Sequence, residues 1–439
     1  MHDAVAVDLA APALHLVPGM ERQLGRGRGG LDHTRDGGRV GTVRARLDTT
    51  RVWCNGRRGR VAVLPRRASG SQEQTRATAG SRPPSDRLGF CAVLHRILFA
   101  LLGLGPLLIV LHYATGLGST AEFVLAAAAL VPLAWLIGES TEHAAEHTGP
   151  GIGGFLNATF GNAPELIIAL LAVHEGLTDV VRGSLTGSVI GNLLLVMGFS
   201  LVAGGKGQAD HHSGLVSMGV IAAAIGLFVI PAAMGWSGEP ERHAIAVASI
   251  PISIVLLVVY VGVTWMALRR HSAMHIASDE AVHGWSLRLS LVVLGVATVV
   301  TALVAEVLVG SLEEFAHKVG LSDFFVAAVI VAIVGNAAEH GGAVIVAARG
   351  KIALAVEIAL ASAAQVAVFL VPAVALLAWL IDPLALSFRV VEIACLAAAL
   401  AVVAVTMFGG RTSRLRGWIL IAAYVGIAIV FFIAGDRAG

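Results

Sequence analysis

The chain has 439 residues, 56% of them apolar and only 14% charged, with a mean hydropathy of +0.80. Soluble domains carry about 25% charged residues, so this composition excludes an ordinary soluble protein and predicts a polytopic membrane protein. The net charge of +2 is unevenly placed: residues 1–92 hold sixteen Arg and eight Asp or Glu, a balance of +8, which leaves −6 for the remainder. The cysteines, Cys54, Cys91 and Cys395, show no disulfide or metal-binding spacing.

Residues 1–92 form an extension rich in Arg and Gly, with no hydrophobic periodicity and no apolar signal-peptide segment. A segment of this composition cannot bury a core, so we predict that it is disordered. Arg/Gly tracts can bind RNA or anionic lipid, but an extension without a function is the simpler interpretation. We therefore assign it no role and expect no nucleic-acid partner.

Eleven apolar segments follow, each close to the length of about 20 residues that a membrane-spanning helix needs. They lie near 95–117, 120–138, 152–174, 184–204, 214–235, 243–268, 287–310, 322–348, 353–380, 386–408 and 417–435. These segments predict an all-α polytopic membrane protein with about 11 transmembrane helices. Its predicted parts are one extra helix (93–118), a five-helix repeat (119–268), a cytoplasmic linker (269–286) and a second five-helix repeat (287–439).

Two of the spans contain the same short motif, Gly-Asn-Ala-x-Glu. It occurs as Gly161-Asn162-Ala163-Pro164-Glu165 and as Gly335-Asn336-Ala337-Ala338-Glu339. The offset between them is 335 − 161 = 174 residues. The same offset pairs Glu139 with Glu313 and Ser188 with Ser362, and it sets Gly191 opposite Gln365. Because five spans is an odd number, the second copy of a duplicated unit enters the membrane from the other side, which predicts inverted repeats.

The charges of the connections predict the orientation, since Lys and Arg accumulate on the cytoplasmic side. With the N-terminus in the cytoplasm and the C-terminus outside, the inner connections hold most of these residues, namely Lys206, Arg269, Arg270, Arg349, Lys351, Arg411, Arg414 and Arg416. The outer connections hold Arg182, Arg242, Lys318 and Arg389. Abundant Arg and Ala, with three Lys in all, indicate a GC-rich genome and favour a bacterial inner membrane.

Glu165 and Glu339 lie in the middle of apolar spans, where ionisable residues are candidates for function. A lone buried carboxylate is protonated because burial penalises its charged form, and a nearby cation reverses that preference. Each residue could therefore exchange a proton for a metal ion, and the two together would neutralise a hard divalent ion such as Ca²⁺. The alternative is that both are neutral hydrogen-bond partners between helices.

Other oxygen-bearing side chains surround these two residues in the sequence and complete the candidate cation and proton site. They are Asn162, Asn336, Ser188, Asn192, Ser362 and Gln365. Pro164 removes a backbone donor, and Gly161 and Gly335 loosen the helices, so we expect opened helix turns whose carbonyls line a cavity.

Two further acidic groups fall at helix ends or span edges. The first contains Glu139, Glu142 and Glu146, and the second contains Glu306, Glu313 and Glu314. We interpret them as vestibules that attract cations. Solvated helix ends would account for the same pattern.

The segment from His143 to His147 fits the pattern H-x-x-E-H of a zinc protease, with Glu146 as its acid. It lies where a span ends, at Gly149-Pro150, and no third ligand is evident. A membrane zinc protease is therefore only a remote alternative, as is a purely structural membrane protein. We expect no enzyme activity and no cofactor.

The paired motifs resemble the calcium/proton exchanger branch of the calcium/cation antiporter superfamily. The first runs from Gly161 to Ile167 and continues at 186–194; the second runs from Gly335 to His340 and continues at 361–367. Over residues 95–435, the resemblance implies proton-driven Ca²⁺ transport by alternating access, with Glu165 and Glu339 as the carriers and Ca²⁺ and protons as the substrates. A sodium- or potassium-coupled exchanger on the same fold is the close alternative.

The sequence departs from the family pattern in the linker, which argues against Ca²⁺ sensing by an acidic linker, and at Glu357 and Ala361, which leaves the cation selectivity open. The linker is mixed in charge where many relatives have an acidic stretch. Glu357 stands where a neutral residue is expected, and Ala361 replaces the usual glycine before Ser362. The sequence does not indicate the oligomeric state.

Overall fold

The computed structural model describes residues 96–436 apart from 238, 241 and 273–283, together with four short strands nearer the N-terminus. Strand β1 (His33–Thr34) pairs with β2 (Thr42–Val43), and β3 (Thr50–Asn55) pairs with β4 (Arg60–Pro65), both antiparallel. The rest of the extension predicted to be disordered lies outside the described residues, as does the middle of the predicted linker.

In the first half of the described helical region, seven α-helices follow a short helical segment at 96–101. They are α1 (Leu104–Thr115), α2 (Ser119–Phe160), α3 (Ala163–His174), α4 (Thr178–Ile190), α5 (Met197–Gly204), α6 (His211–Gly235) and α7 (His243–Ser272). A π-helical turn, Gly191–Val196, joins α4 to α5, and the short strand β5 (Gly207–Gln208) precedes α6.

The second half contains eight α-helices, several of them short. They are α8 (Leu287–Val319), α9 (Asp323–Phe325), α10 (Ala332–Gly335), α11 (Ala337–Ala348), α12 (Ile352–Gln365), α13 (Val371–Leu377), α14 (Val390–Thr406) and α15 (Arg414–Ala434). π-Helical turns at Val326–Val331 and Val366–Leu370 continue α9 and α12, 3₁₀ turns follow at Ala378–Leu380 and Phe408–Gly410, and β6 (Arg411–Thr412) pairs antiparallel with β5.

The helix boundaries repeat with the offset found in the sequence. Shifting α3 by 174 residues gives 337–348, which are the bounds of α11. The same shift moves α4 to 352–364, against Ile352–Gln365 for α12. It also moves the π-helical turn of the first half to 365–370, against Val366–Leu370 in the second. The duplication therefore extends from matched residues to matched helix ends.

The predicted fold class is confirmed, because the described residues form a mostly helical bundle with many apolar spans. Eight helices in the described ranges are long and apolar enough to cross a membrane, and Asp323–Gly335 with Glu339–Ala348, bent by 56°, would make a ninth. Two predicted spans, 152–174 and 386–408, correspond to the shorter apolar helices Ala163–His174 and Val390–Thr406. The count of eleven thus stays a prediction.

Helix α2 is assigned over 42 residues, about 63 Å if straight, which is roughly twice the hydrocarbon thickness of a bilayer. It is not straight. A Cβ atom added to Gly153 would lie 2.8 Å from the carbonyl oxygen of Ala145, although eight residues of straight helix span about 12 Å. The backbone therefore turns sharply between these residues, where the sequence predicts that one span ends and the next begins.

The connections gather at two ends of the bundle. At the first, which we call the Arg182 end, Arg182 donates to Ser387 at 3.3 Å and Trp236 donates to the carbonyl of Phe388 at 3.0 Å. At the second, the Glu357 end, Thr412 donates to the carbonyl of Gly205 at 3.1 Å. One large apolar core, to which both halves contribute, lies between these ends.

Candidate cation site

The two acidic residues of the repeated motif, Glu165 and Glu339, occupy the same position. Each is the third residue of a helix that begins just after a break in the preceding helix. Asn162 (φ −103°, ψ 17°) precedes α3, and Asn336 (φ −87°, ψ 5°) precedes α11; neither has helical dihedral angles. Pro164 suits the first turn, because its missing N–H would have no partner there. Each carboxylate therefore lies near the positive end of a helix dipole.

Glu165 is buried at the interface of the two repeats, with 8% of its surface exposed. Its Cγ lies 3.3 Å from where a Cβ atom on Gly335 would be, so the second repeat makes room for the carboxylate by having glycine there. A cavity of roughly 10 Å³ adjoins Glu165 and is also lined by Ser184, Ser188 and Ala332. That volume is close to the space one water molecule needs.

The amide of Asn336 joins the two repeats. Its Nδ2 donates to Oγ of Ser188 at 2.8 Å and to the carbonyl of Ala332 at 2.8 Å. Its Oδ1 accepts a hydrogen bond from Nδ2 of Asn192 at 3.2 Å. All three side chains are buried, so this network fixes the second break against the helix α4 and the π turn of the first repeat.

Glu339 has a different environment from Glu165. It accepts a hydrogen bond from the hydroxyl of Ser362 and is half-buried rather than buried. The two carboxylates are near enough to repel each other. Oε2 of Glu165 is buried and has no hydrogen-bond partner among the described residues. A buried carboxylate oxygen without a partner is costly, so the arrangement suits a proton or a bound cation.

The structure gathers most of the predicted site residues at the repeat interface. Those near the breaks are Glu165, Glu339, Asn162, Asn336, Ser188, Asn192 and Ser362. Gln365 differs: its side chain is close to the hydroxyl of Tyr260 on α7, and the Tyr260 ring packs on Phe369 with centroids 5.0 Å apart.

Sequence reasoning missed Ser184, which lines the cavity beside Glu165. It lies one helical turn before Ser188, and its hydroxyl donates to the carbonyl of Val181 at 3.1 Å. Comparison of the repeats could not reveal it, because the equivalent position in the second repeat is Ile358. The available signal was a serine at i−4 from Ser188 in an apolar helix.

The two predicted vestibule groups lie at opposite ends of the pair α2 and α8. In the first group, His143 lies 3.6 Å from Glu139 and 3.5 Å from Glu146, and its ring packs on Trp285, just before α8. In the second group, the hydroxyl of Ser119, where α2 begins, donates to Glu314 near the end of α8. Glu142, Glu306 and Glu313 are exposed on the same two helices.

The zinc-protease pattern has other partners in the structure. A ring nitrogen of His147 lies 2.7 Å from the carbonyl oxygen of Trp285, and His143 lies between its two acidic neighbours. In the part of the chain that the structure describes, no three His, Cys, Asp or Glu side chains are grouped closely enough to hold a metal ion.

The family described as sodium/calcium exchanger protein matches the chain twice, over residues 118–269 and 289–433. These two ranges fall on the two predicted repeats, one match in each.

Two curated relatives match over almost their full length. The Ca²⁺/H⁺ antiporter ChaA of Bacillus subtilis is 37% identical over 358 residues, which are 77% of this chain and 100% of that protein. The Ca²⁺/H⁺ antiporter of Synechocystis sp. is 34% identical over 370 residues, 77% of this chain and 97% of that protein. These matches confirm the family resemblance found in the motifs.

Two solved structures have a similar fold. Native YfkE has 35% sequence identity and a TM-score of 0.67, covering 76% of this chain and 99% of that one. The H⁺/Ca²⁺ exchanger CAX has 16% identity and a TM-score of 0.60, covering 77% and 92%, and at that identity the likeness concerns the fold alone.

Proposed function

Because the chain belongs to the sodium/calcium exchanger protein family, we propose that it exchanges Ca²⁺ for protons across a membrane by alternating access. Relatives more than 30% identical over nearly their whole length are Ca²⁺/H⁺ antiporters by name. The chain is a transporter and not an enzyme, and Ca²⁺ and protons are its substrates.

We further propose that Glu165 and Glu339 carry Ca²⁺ and protons in turn. The observation behind this proposal is the buried Oε2 of Glu165, which has no hydrogen-bond partner among the described residues. Two neighbouring carboxylates repel each other when both are charged, and either a proton or a shared divalent cation relieves the repulsion. Asn162, Ser188, Asn192, Asn336 and Ser362 supply the oxygens that a hard cation prefers.

The proposed direction follows from the charges of the connections. With Lys206, Lys351 and Arg416 in the cytoplasm, the Glu357 end faces the cytoplasm and the Arg182 end faces outward. Protons entering from outside would neutralise the carboxylates and displace Ca²⁺ there. We place the protein in a bacterial inner membrane, where it exports Ca²⁺.

Inside-out vesicles test the exchange and its carriers. In vesicles with an imposed pH gradient, added Ca²⁺ should collapse the gradient through the parent protein. Glu165→Gln and Glu339→Gln should each reduce the signal to that of vesicles without the protein, because an amide cannot exchange a proton for a cation. Glu175→Gln is the matched control, since Glu175 is exposed just after α3. Near-normal exchange in both site variants would contradict the assignment.

The coupling ion needs its own measurement. Proteoliposomes loaded with Ca²⁺ and given either a pH gradient or a Na⁺ gradient should exchange only with the pH gradient. Exchange driven by Na⁺ at constant pH would instead favour the sodium-coupled mechanism.

Proton release on Ca²⁺ binding provides a test without flux. Ca²⁺ added to purified protein in a weakly buffered solution should release protons, because the ligands must be deprotonated. If one proton is displaced for each Ca²⁺, the half-saturating Ca²⁺ concentration rises by up to about tenfold for each unit that the pH falls. Glu165→Gln and Glu339→Gln should reduce the release, and Glu175→Gln should not.

A further inference from the structure

One face of α12 is open at two of its positions, Glu357 and Ala361. Glu357, Ala361 and Gln365 are spaced by four residues and therefore lie on the same side of the helix. Glu357 and Ala361 are exposed and Gln365 is half-buried. Glu357 also accepts a hydrogen bond from the hydroxyl of Ser213, in the first turn of α6, at 3.3 Å.

The equivalent face in the first repeat is closed. The 174-residue offset places Gly183, Gly187 and Gly191 opposite these three positions. A Cβ atom on Gly183 would lie 3.0 Å from the carbonyl oxygen of Phe324, and one on Gly187 would overlap the carbonyl oxygen of Ala328. The first repeat is thus sealed against the second at Gly183 and Gly187, whereas Glu357 and Ala361 are exposed among the described residues.

The open face begins near one end of the bundle, and its middle residue, Ala361, directly precedes Ser362 of the candidate site. Glu357 is five residues from the beginning of α12, which is about 7.5 Å along the helix. Ser362, another five residues on, donates to Glu339. Carboxylates within spans face water-filled spaces or the protein interior, because exposure to lipid is costly. The hydroxyl of Ser213 and the amide of Gln365 add polar groups along this face.

We infer that Glu357 is the entry residue of the cation route, a site on the open face of α12 that draws Ca²⁺ toward Glu339. This inference rests on the proposed exchange function. A carboxylate at the mouth raises the local concentration of a divalent cation by electrostatic attraction. At a separation of several ångströms in water-like surroundings, this attraction raises the local Ca²⁺ concentration about fivefold. Glu357 therefore sets the Ca²⁺ concentration at which transport from this end half-saturates.

Kinetics in inside-out vesicles test the entry role. Glu357→Gln should raise the half-saturating Ca²⁺ concentration about fivefold at low salt, with an unchanged maximal rate, and added salt should shrink the difference. Glu175→Gln, the same change at an exposed carboxylate near the Arg182 end, should leave both quantities unchanged. Parent-like half-saturation in Glu357→Gln, with the parent transporting normally, would overturn the entry role alone. Absence of Ca²⁺-dependent exchange in the parent would instead overturn the proposed function.

Thiol labelling tests whether the face is open to water or to lipid. In a background with Cys54, Cys91 and Cys395 replaced by serine, Ala361→Cys should react with a charged, membrane-impermeant thiol reagent. Bound Ca²⁺ should slow that reaction. Val258→Cys is the matched control, because Val258 is 66% exposed on the apolar helix α7 and should not react. Reaction of Ala361→Cys no faster than that of Val258→Cys would overturn the route.

Discussion

The face of α4 that carries Gly183 and Gly187 and the face of α12 that carries Glu357 and Ala361 are equivalent positions of a duplicated unit. In the first repeat, glycine lets the backbone of α4 approach the second repeat until a methyl group would overlap the carbonyl of Ala328. In the second repeat, the same positions are exposed. The two copies of this face, which we call the seam (Gly183 and Gly187 in α4, Glu357 and Ala361 in α12), thus adopt different states, and side-chain size contributes to the difference.

Ion pairs reinforce the closed copy at the Arg182 end. Arg182 is fully buried and pairs with Asp179 at 2.7 Å. Nearby, Arg389 lies 3.8 Å above the ring of Phe324 and 2.9 Å from Glu392. Asp436 accepts from the backbone N–H of Phe324 at 2.9 Å, which holds the beginning of the broken helix. The seam and the ion pairs therefore act on the same segment.

The largest expected effect comes from replacing a buried residue at the Arg182 end by its counterpart in the second repeat. Arg182→Val copies Val356 of the second repeat and removes the donors to Asp179, Ser387 and the carbonyl of Ala385. Because one partner of a buried polar network is lost, we expect a cost of about 3 kcal/mol or more. The midpoint of thermal aggregation of the purified protein should fall accordingly.

The matched control is an ion pair at the same end that is exposed. Lys318 lies 2.6 Å from Glu314, and about half of each side chain is exposed. Lys318→Ala should leave the midpoint of thermal aggregation close to that of the parent, because exposed ion pairs contribute little to stability. If both variants lowered the midpoint of thermal aggregation equally, the burial of Arg182 would add nothing to stability.

A methyl group in the closed seam should have the next largest effect. Gly187→Ala places a Cβ atom onto the carbonyl oxygen of Ala328 and 2.8 Å from Cβ of Ala332, so the helices must separate. Overpacking of this kind costs roughly 1–3 kcal/mol. Gly191→Ala is the control on the same helix face, because nothing lies within 4 Å of its added Cβ. A comparable loss of monodisperse protein for both variants would contradict the tight seam.

Much of this comparison could be predicted from sequence. The 174-residue offset, the two breaks and the pairing of Ser188 with Ser362 were all visible, because polar residues in apolar helices are rare enough to align. Which copy of the seam is closed could not be predicted, since it depends on how the repeats pack. The role of Ser184 beside the cavity and the position of Gln365 beside Tyr260 could not be predicted either, because neither arrangement is repeated in the other half.

A smaller effect is expected where the two repeats differ within the amide network. Asn192→Val copies Val366 and removes the hydrogen bond to Oδ1 of Asn336, which is then buried without that donor. The expected cost is about 1–2 kcal/mol, with a higher half-saturating Ca²⁺ concentration because the second break is held less firmly. Ser213→Ala, which removes an exposed hydrogen bond to Glu357, should leave stability unchanged and serves as the control.

The smallest effect concerns Ala361, the alanine that stands where the family pattern has glycine. Ala361→Gly copies Gly187 onto the open face. Because Ala361 is exposed, removing its methyl relieves no overlap, and the substitution should cost only the helix propensity of glycine, about 0.5–1 kcal/mol. Thermal aggregation should therefore occur at a slightly lower temperature, with unchanged half-saturating Ca²⁺. A gain in stability would mean that the methyl is compressed in the resting protein, so that the seams of both repeats are closed at once.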